Sequence, residues 1–358
     1  MKSDKIMDVE RLIDYFEKSF LSPLLRNDDI TDISYNGEDI FYLDNNIGRR
    51  KSAIKISYQT AKDFLRQIAN LAEKQFSYQN PELDISFGRY RLNALHQSVC
   101  RKRNAQSVCF SLRLTIPTLR INLNDQTFGQ EVKDLLDILV RSQVSLVIGG
   151  LTGSGKTELQ KYLLTRMTDN SRIIVIDNIL ELDQLSLENQ IDLNVWQVDE
   201  NRHQVAIQQL VRTALRSNPD WLIVAEARGA EMLEILNSSL TGHPIITTIH
   251  AFDMLSMPDR MVRMVMMNAQ TFRFEEVYQD ISYHLRFYIY LKRKYTIDGL
   301  VQRYISSIGY LNKDNMEEIY GSDGFNHNYG KLSKEALSIL NTSKASQLFK
   351  KTFLGGQE

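Results

Sequence analysis

The segment Gly150-Leu-Thr-Gly-Ser-Gly-Lys-Thr157 constrains the fold of this chain more than any other. An apolar run over 145–148 leads into it, and a helical pattern over 157–167 follows it. Glycines let the chain turn so that successive backbone N–H groups face an anion, and the following helix adds its positive amino-terminal end. A strand, a turn with G-x-x-x-x-G-K-[ST] spacing and a helix therefore predict a phosphate-binding loop (P-loop) in an α/β fold.

Two side chains of this loop have the chemistry that a nucleoside triphosphate requires. The ammonium group of Lys156 can reach the β- and γ-phosphates, and the hydroxyl of Thr157 can ligate Mg²⁺. The sequence therefore predicts ATP and Mg²⁺ as cofactors, with Thr157 as the metal ligand. The residues predicted to surround the nucleotide are Gly150, Thr152, Gly153, Ser154, Gly155, Lys156, Thr157 and Glu158.

Two patterns of secondary structure divide the chain. Over residues 1–114, helical patterns alternate with short strand-like runs bounded by turn formers, which predicts a small α+β amino-terminal domain. Residues 115–130 contain a proline, two asparagines and a glycine and are predicted to be a linker. Over 131–330, short apolar strands separated by helices predict a mostly parallel sheet covered by helices. Residues 331–358 are polar and are predicted to be a C-terminal tail.

The composition limits the classes of function. A formal net charge of −1 argues against a surface covered in basic charge, so no direct nucleic-acid binding is expected. Cys100 and Cys109 form no C-x-x-C pair, which makes a zinc or redox motif unexpected and suits a reducing cytosol. There is no run of about 18 apolar residues and no signal-peptide core, so no membrane-spanning segment is expected. Peripheral membrane association would then occur through partners or a surface patch.

Carboxylates follow two of the apolar runs. Glu226 comes directly after Trp221-Leu-Ile-Val-Ala225. The carboxyl ends of parallel strands line the ligand crevice, so Glu226 is predicted to face the γ-phosphate and to position or activate water, with a surface glutamate as the alternative. Asp177 and Glu181 follow the run 173–176; they could act in the same way or begin a helix, and spacing alone favours neither.

Two histidines flank the apolar run over 245–249. A histidine at the carboxyl end of a strand can contact a γ-phosphate, although a single histidine is more often a core or surface residue. His250 has the better position of the two, and His243 precedes the run. Thr247 and Thr248 directly before His250 supply hydroxyl donors.

Four boxes in this order resemble the secretion ATPases of the type II and type IV systems, and most closely the branch that powers type IV secretion, conjugation and Tad-type pili. They are a Walker A box, an acidic box, an atypical Walker B box and a histidine box. Their sequences are Gly150–Thr157, Ile176-Asp-Asn-Ile-Leu-Glu-Leu182, Arg216-Ser-Asn-Pro-Asp-Trp-Leu-Ile-Val-Ala-Glu-Ala-Arg228, and Thr241-Gly-His243 with Thr247-Thr-Ile-His-Ala251. Ile30-Thr-Asp-Ile-Ser-Tyr-Asn-Gly37 resembles the opening strand of that branch, and Phe87-Gly-Arg-Tyr-Arg-Leu-Asn-Ala94 and Ser111-Leu-Arg113 resemble its arginine-presenting segments. The resemblance therefore covers about residues 30–270.

The resemblance implies a RecA-like motor domain in a homohexamer at the cytoplasmic face of the inner membrane. Inner-membrane components of a secretion or pilus machine would be its partners. The resemblance assigns the Walker B catalytic role to Glu226 and a supporting acidic-box role to Glu181, beside Lys156 of the phosphate loop. The further residues that it brings to the nucleotide are Arg91, Arg113, Arg228 and His250.

Three positions depart from the family pattern. Asp177 and Asn178 stand where the family usually has Glu and Asp, which removes one charge from the acidic box. Ala225 replaces the glycine before the Walker B glutamate, and Pro244 stands where the branch often has an acidic residue. None of these changes removes a residue of the phosphate loop or the Walker B carboxylate.

Three functions stay open at this point. The first is a hexameric ATPase that hydrolyses ATP to ADP and phosphate to power a type IV secretion, conjugation or pilus-assembly machine. The second is a nucleotide-gated scaffold of the same machine with little turnover, motivated by Asn178 and Ala225. The third is a DNA-translocating RecA-like motor, against which the near-neutral charge argues. The basic segment Arg101–Arg103 is interpreted as a solvated surface loop.

Overall fold

The computed structural model describes residues 2–116, 119–121, 128–177, 182–183, 185, 187, 189–198, 206–267, 272–313 and 315–355, with side chains from residue 9 onward. The chain forms two compact units. The first comprises Met1–Ile116 with Tyr295–Val301, and the second comprises Pro117–Lys294 with Gln302–Glu358. A short segment between two stretches of the second unit thus contributes to the first unit, which the sequence did not predict.

The first unit combines helices with short strands. Its elements in chain order are α1 (Lys2–Glu17), α2 (Ser22–Leu25), β1 (Ile30–Tyr35), β2 (Ile40–Asp44), β3 (Gly48–Lys51), α3 (Tyr58–Leu71), β4 (Glu82–Phe87), β5 (Tyr90–Leu95), β6 (Arg101–Lys102), β7 (Ala105–Gln106) and β8 (Cys109–Leu114). Six strands form one antiparallel sheet in the order β3-β2-β1-β8-β5-β4.

Aromatic side chains join the helices of this unit to its sheet. The Ser57 side chain accepts a hydrogen bond from Thr60 N and so caps α3, whose apolar face is buried. Phe16 of α1 is fully buried, and its ring centroid lies 5.3 Å from that of Phe64 on α3 and 5.2 Å from that of Phe87 on β4. The predicted α+β character of this region follows from this packing of helices against one sheet face.

The second unit alternates helices and strands and then ends in antiparallel strands and two short helices. Its elements are α4 (Gln130–Arg141), β9 (Leu146–Gly150), α5 (Lys156–Leu164), β10 (Arg172–Asp177), β11 (Asp192–Gln197), α6 (Ile207–Ala214), β12 (Trp221–Val224), α7 (Met232–Leu240), β13 (Ile245–Ile249), α8 (Met257–Met266), α9 (Phe274–His284), β14 (Phe287–Tyr295), β15 (Val301–Asn312), β16 (Asn315–Ser322), β17 (His327–Tyr329), α10 (Lys334–Ser338) and α11 (Gln347–Phe353).

A nine-stranded sheet forms the centre of this unit, in the order β11-β10-β12-β13-β9-β14-β15-β16-β17. The pairs from β11 through β14 are parallel, and β15-β16 and β16-β17 are antiparallel. Both faces are covered: Leu146 and Ile148 belong to one apolar cluster, and Val147 between them belongs to the other. This burial on both faces explains the continuous apolar runs of the sequence and confirms the predicted mixed α/β fold with a mostly parallel sheet.

The residues predicted as a polar C-terminal tail are instead part of the core. Ser333 and Ser346 cap α10 and α11 with their side chains. Phe349 and Phe353 of the tail are fully buried in the same cluster as the central strands. Within the predicted linker, Phe128 is also buried in that cluster. These two helices are five and seven residues long, which is too short to stand out as a helical pattern in the sequence.

Two helices, α8 and α9, connect β13 to β14. Helix α8 contains a proline in its first turn and a stripe of methionines that packs on the sheet. Within the part of the chain that the structure describes, no helix has both the length and the apolar character needed to cross a bilayer.

Candidate functional site

The phosphate loop leaves the sheet at the buried carboxyl end of β9 and enters α5. Gly153 has φ +75° and Gly155 has φ +100°, a left-handed conformation that residues with a Cβ rarely adopt. Gly155 is also the amino-terminal cap of α5, which begins at Lys156. The glycines of the motif are therefore required by the backbone, and the loop with the helix end forms a cradle suited to phosphate.

Lys156 lies inside the loop that it closes. Its Nζ donates hydrogen bonds to Gly150 O at 3.0 Å and to Leu151 O at 3.3 Å, and it lies 3.4 Å from His250 Nδ1. The side chain is buried, so its charge acts in a region of low dielectric constant. The structure thus places the lysine of the phosphate loop in contact with the histidine predicted from the end of β13.

Glu226 lies on the far side of the same histidine. Its Oε1 is 2.7 Å from His250 Nε2, and its Oε2 accepts a hydrogen bond of 2.7 Å from Arg228 Nη2. Burial raises the pKa of Glu226. The hydrogen bond from Arg228 and the charges of Arg228, His250 and Lys156 lower it by more than burial raises it, so the pKa is below its ordinary value. Glu226 is therefore a carboxylate at neutral pH, as a group that orients water needs to be.

His250 joins the lysine and the carboxylate. Burial and the nearby charge of Lys156 lower the pKa of His250, and together with Arg228 they outweigh Glu226, which raises it. Because this pKa is below its ordinary value, the ring is neutral at pH 7. Three residues predicted separately from three boxes thus form one chain of contacts, Lys156–His250–Glu226.

The turn that carries Glu226 is fixed by its neighbours. Thr248 Oγ1 donates to Ala225 O at 2.8 Å, and Ala227 N donates to Thr248 O at 2.8 Å, so the turn is anchored on β13. Ala225 is not among the described non-glycine residues with positive φ, so the alanine meets no backbone strain at this position. Glu231, which the sequence analysis missed, accepts hydrogen bonds from the backbone N–H groups of Arg228 and Gly229.

The remaining residues of the loop differ in their surroundings. Ser154 is buried, whereas Thr152 is exposed and Thr157 is half-buried on α5. The carboxylate of Glu158 accepts a hydrogen bond from Arg120 N at 2.8 Å and one from Lys161 Nζ at 2.9 Å. Glu158 therefore holds the backbone at Arg120 against α5.

Arg91 and Arg113 belong to the first unit and lie opposite each other on β5 and β8. Cross-strand partners project from the same face of a sheet, so the two guanidinium groups share one face. Arg91 Nη2 is 3.4 Å from Asp84 Oδ2, and Arg113 Nε is 3.6 Å from Asp32 Oδ1. The role of these arginines toward the nucleotide stays a prediction.

The acidic box and the second histidine, His243, are the other residues singled out from the sequence. Asp177 is buried at the end of β10, whereas Asn178 and Glu181 of the acidic box lie outside the described residues. His243 precedes β13 and lies 3.1 Å from Thr241 Oγ1, at the opposite end of the strand from His250. Five residues of strand rise by about 3.3 Å each, so the strand length separates the two histidines by roughly 16 Å.

Comparison with known proteins gives a consistent result. A family model described as "Type II/IV secretion system protein" matches residues 90–318. A putative conjugal transfer protein of Mycobacterium tuberculosis is 30% identical over 254 residues, which cover 67% of this chain and 71% of that protein. An uncharacterized protein of Bacillus anthracis is 30% identical over 269 residues, covering 74% of this chain but only 59% of the relative's own length.

A solved structure supports the same fold. The ATPase DotB of Legionella pneumophila superposes with a TM-score of 0.62 at 23% sequence identity, covering 84% of this chain and 81% of that one. At this identity the likeness concerns the fold. It agrees with the α/β architecture predicted from the strand and helix pattern.

Proposed function

This chain belongs to the family of type II/IV secretion system proteins, and on that premise we propose that it hydrolyses ATP to ADP and phosphate to power a type IV secretion, conjugation or pilus-assembly machine. The observation that carries the proposal is the contact chain Lys156–His250–Glu226 at the carboxyl ends of β9, β13 and β12. In this chain the neutral imidazole of His250 lies between the Lys156 ammonium group, which can bind phosphates, and the ionised carboxylate of Glu226, which can orient water.

The proposed roles follow from the chemistry of each group. Backbone N–H groups of the phosphate loop and Lys156 bind the phosphates, and the Thr157 hydroxyl ligates Mg²⁺. Glu226 orients the attacking water, and Arg228 holds the carboxylate in its ionised form. Catalysis would consist mostly of positioning and charge stabilisation.

Other roles rest on the family resemblance. We propose that Glu181 supports the site from the acidic box and that Arg91 and Arg113 bring positive charge to the phosphates. We further propose a homohexamer that works at the cytoplasmic face of the inner membrane with membrane components of the machine.

The test is steady-state phosphate release by the purified full-length protein with Mg²⁺ and ATP. We expect turnover that Lys156→Ala abolishes, whereas the matched change of the exposed Lys344→Ala leaves it unchanged. A wild-type rate equal to that of Lys156→Ala, with ATP still bound, would favour the scaffold function. A rate that rises strongly on addition of DNA would favour the DNA-translocating motor.

A further inference from the structure

The strand β14 extends beyond the end of its neighbour β9. The parallel pairing of the two strands ends with Leu291 opposite Gly150, which is the last residue of β9. β14 continues past this point to Tyr295. On the side of β9, the residues that follow Leu291 therefore run beside the phosphate loop, whereas their other side faces β15.

Arg303, from the next strand β15, contacts this loop directly. Its Nε donates a hydrogen bond of 2.9 Å to the carbonyl oxygen of Gly153. The N–H of the same peptide unit, that of Ser154, donates to Leu151 O at 3.2 Å. The peptide between Gly153 and Ser154 is thus held on both sides, and a rigid trans peptide held at both polar atoms has a fixed orientation.

Arg293 on β14 approaches the same glycine from another side. Its Nη1 lies 2.8 Å from the position that a Cβ would take on Gly153. The Cδ of Arg303 lies 3.6 Å from the corresponding position on Gly155. Two arginine side chains therefore occupy the space next to the two left-handed glycines of the loop, Arg293 with its guanidinium group at Gly153 and Arg303 with its Cδ at Gly155.

These contacts have a physical consequence for phosphate binding. A glycine-rich loop has many accessible conformations, and ordering them around a ligand costs free energy. A charge-assisted hydrogen bond to the loop carbonyl selects one conformation before the ligand arrives. Two positive charges beside the loop also raise the electrostatic attraction for a polyphosphate.

We propose that Arg303 is a positioning residue that holds the phosphate loop in its binding conformation, and that Arg293 adds positive charge to the same site. This inference rests on the proposed nucleotide-dependent function and specifies two residues outside the four sequence boxes. Arg303 affects binding of the nucleotide polyphosphate through the conformation of the loop, and Arg293 affects it through electrostatic attraction.

The test compares Arg303→Gln, Arg303→Lys and Arg293→Gln with Lys292→Gln. Lys292 is a matched control, because side chains alternate along a strand and Lys292 lies on the opposite face, with Nζ 6.0 Å from the ring centroid of Tyr290. The affinity for a fluorescent ADP, the kcat and KM for ATP, and the melting temperature without nucleotide are measured for each variant.

We expect Arg303→Gln to weaken ADP binding about tenfold or more, the factor for losing one charge-assisted hydrogen bond, and Arg303→Lys to recover part of this loss. Arg293→Gln should weaken binding several-fold at low salt and much less at about 0.5 M salt, because exposed charges are screened. Lys292→Gln should bind within twofold of the wild type.

Two results would overturn the inference. One is ADP affinity of Arg303→Gln within twofold of Lys292→Gln. The other is a lowered melting temperature with unchanged affinity, which would make Arg303 only a brace of the fold. Failure of this inference can be distinguished from failure of the proposed ATPase function. If the wild type binds ADP but does not hydrolyse ATP, the effect of the Arg303 substitutions on ADP affinity can still be measured.

Discussion

Replacement of Glu226 by glutamine tests the proposed catalytic arrangement most directly. The amide keeps the size of the side chain but removes its charge and its capacity to accept a proton. The Arg228 bond and the nearby charges keep the pKa of Glu226 low despite burial, so the wild-type group is fully ionised at pH 7. The substitution therefore removes a complete negative charge at neutral pH.

The expected magnitude follows from the role assigned to the carboxylate. A positioned general base contributes about 10²–10⁴ in rate, which corresponds to roughly 3–5 kcal/mol in the activation free energy. The phosphates are held by other groups, namely the loop N–H groups and Lys156, so the affinity for ATP should stay within about tenfold. Because Glu226 raises the pKa of His250, this pKa should fall further in the variant.

The assay combines phosphate release, equilibrium binding of ATP and NMR titration of the His250 ring. The matched control is Glu276→Gln, the same chemical change at a surface residue of α9 whose side chain is 66% exposed. Turnover by Glu226→Gln within tenfold of the wild type would refute the assignment of this residue. An unchanged His250 titration would refute the electrostatic contact between the two side chains.

Three further predictions concern stability and the loop. Phe353→Ala should cost about 3–5 kcal/mol in the free energy of unfolding, whereas the exposed Phe325→Ala should cost little, as measured by urea denaturation. Burial and the charge of Lys156 lower the pKa of His250 in the folded protein, so the unfolded chain, in which this pKa has its ordinary value of 6.5, binds more protons as the pH falls. The melting temperature of the wild type, relative to that of His250→Gln, should therefore fall as the pH is lowered from about 7.5 to about 5.5. Gly150→Ala should abolish ADP binding, since its Cβ would lie 2.8 Å from the backbone oxygen of Leu291. Gly242→Ala has open space around its Cβ, so at φ +90° it should lower the melting temperature but leave ADP binding normal.

The local parts of this protein could be predicted from its sequence. The strand, glycine turn and helix at Gly150–Thr157 follow from backbone conformation and hydrophobic patterning within some twenty residues. Glu226 and His250 could be placed at strand ends because parallel strands present their carboxyl ends to one edge of a sheet. Each of these inferences depends on periodicity and on residue types that are close together in the chain.

Other features depend on contacts between residues far apart in the chain. Arg303 of β15 reaches Gly153 across 150 residues because β14, the strand between β9 and β15, extends past the end of β9, and strand length relative to a neighbour is set by sheet register. Phe353 is buried because the central sheet offers an apolar surface to the short capped helix α11, which has little helical pattern of its own.

The sequence by itself therefore determined the phosphate loop, the mostly parallel α/β fold and the candidate residues at the strand ends. Only the tertiary structure decided that Lys156, His250 and Glu226 form one chain of contacts, and that arginines of β14 and β15 flank the loop. The physical reason is that local patterns encode backbone conformation and burial, whereas register and side-chain pairing arise only when distant segments pack together.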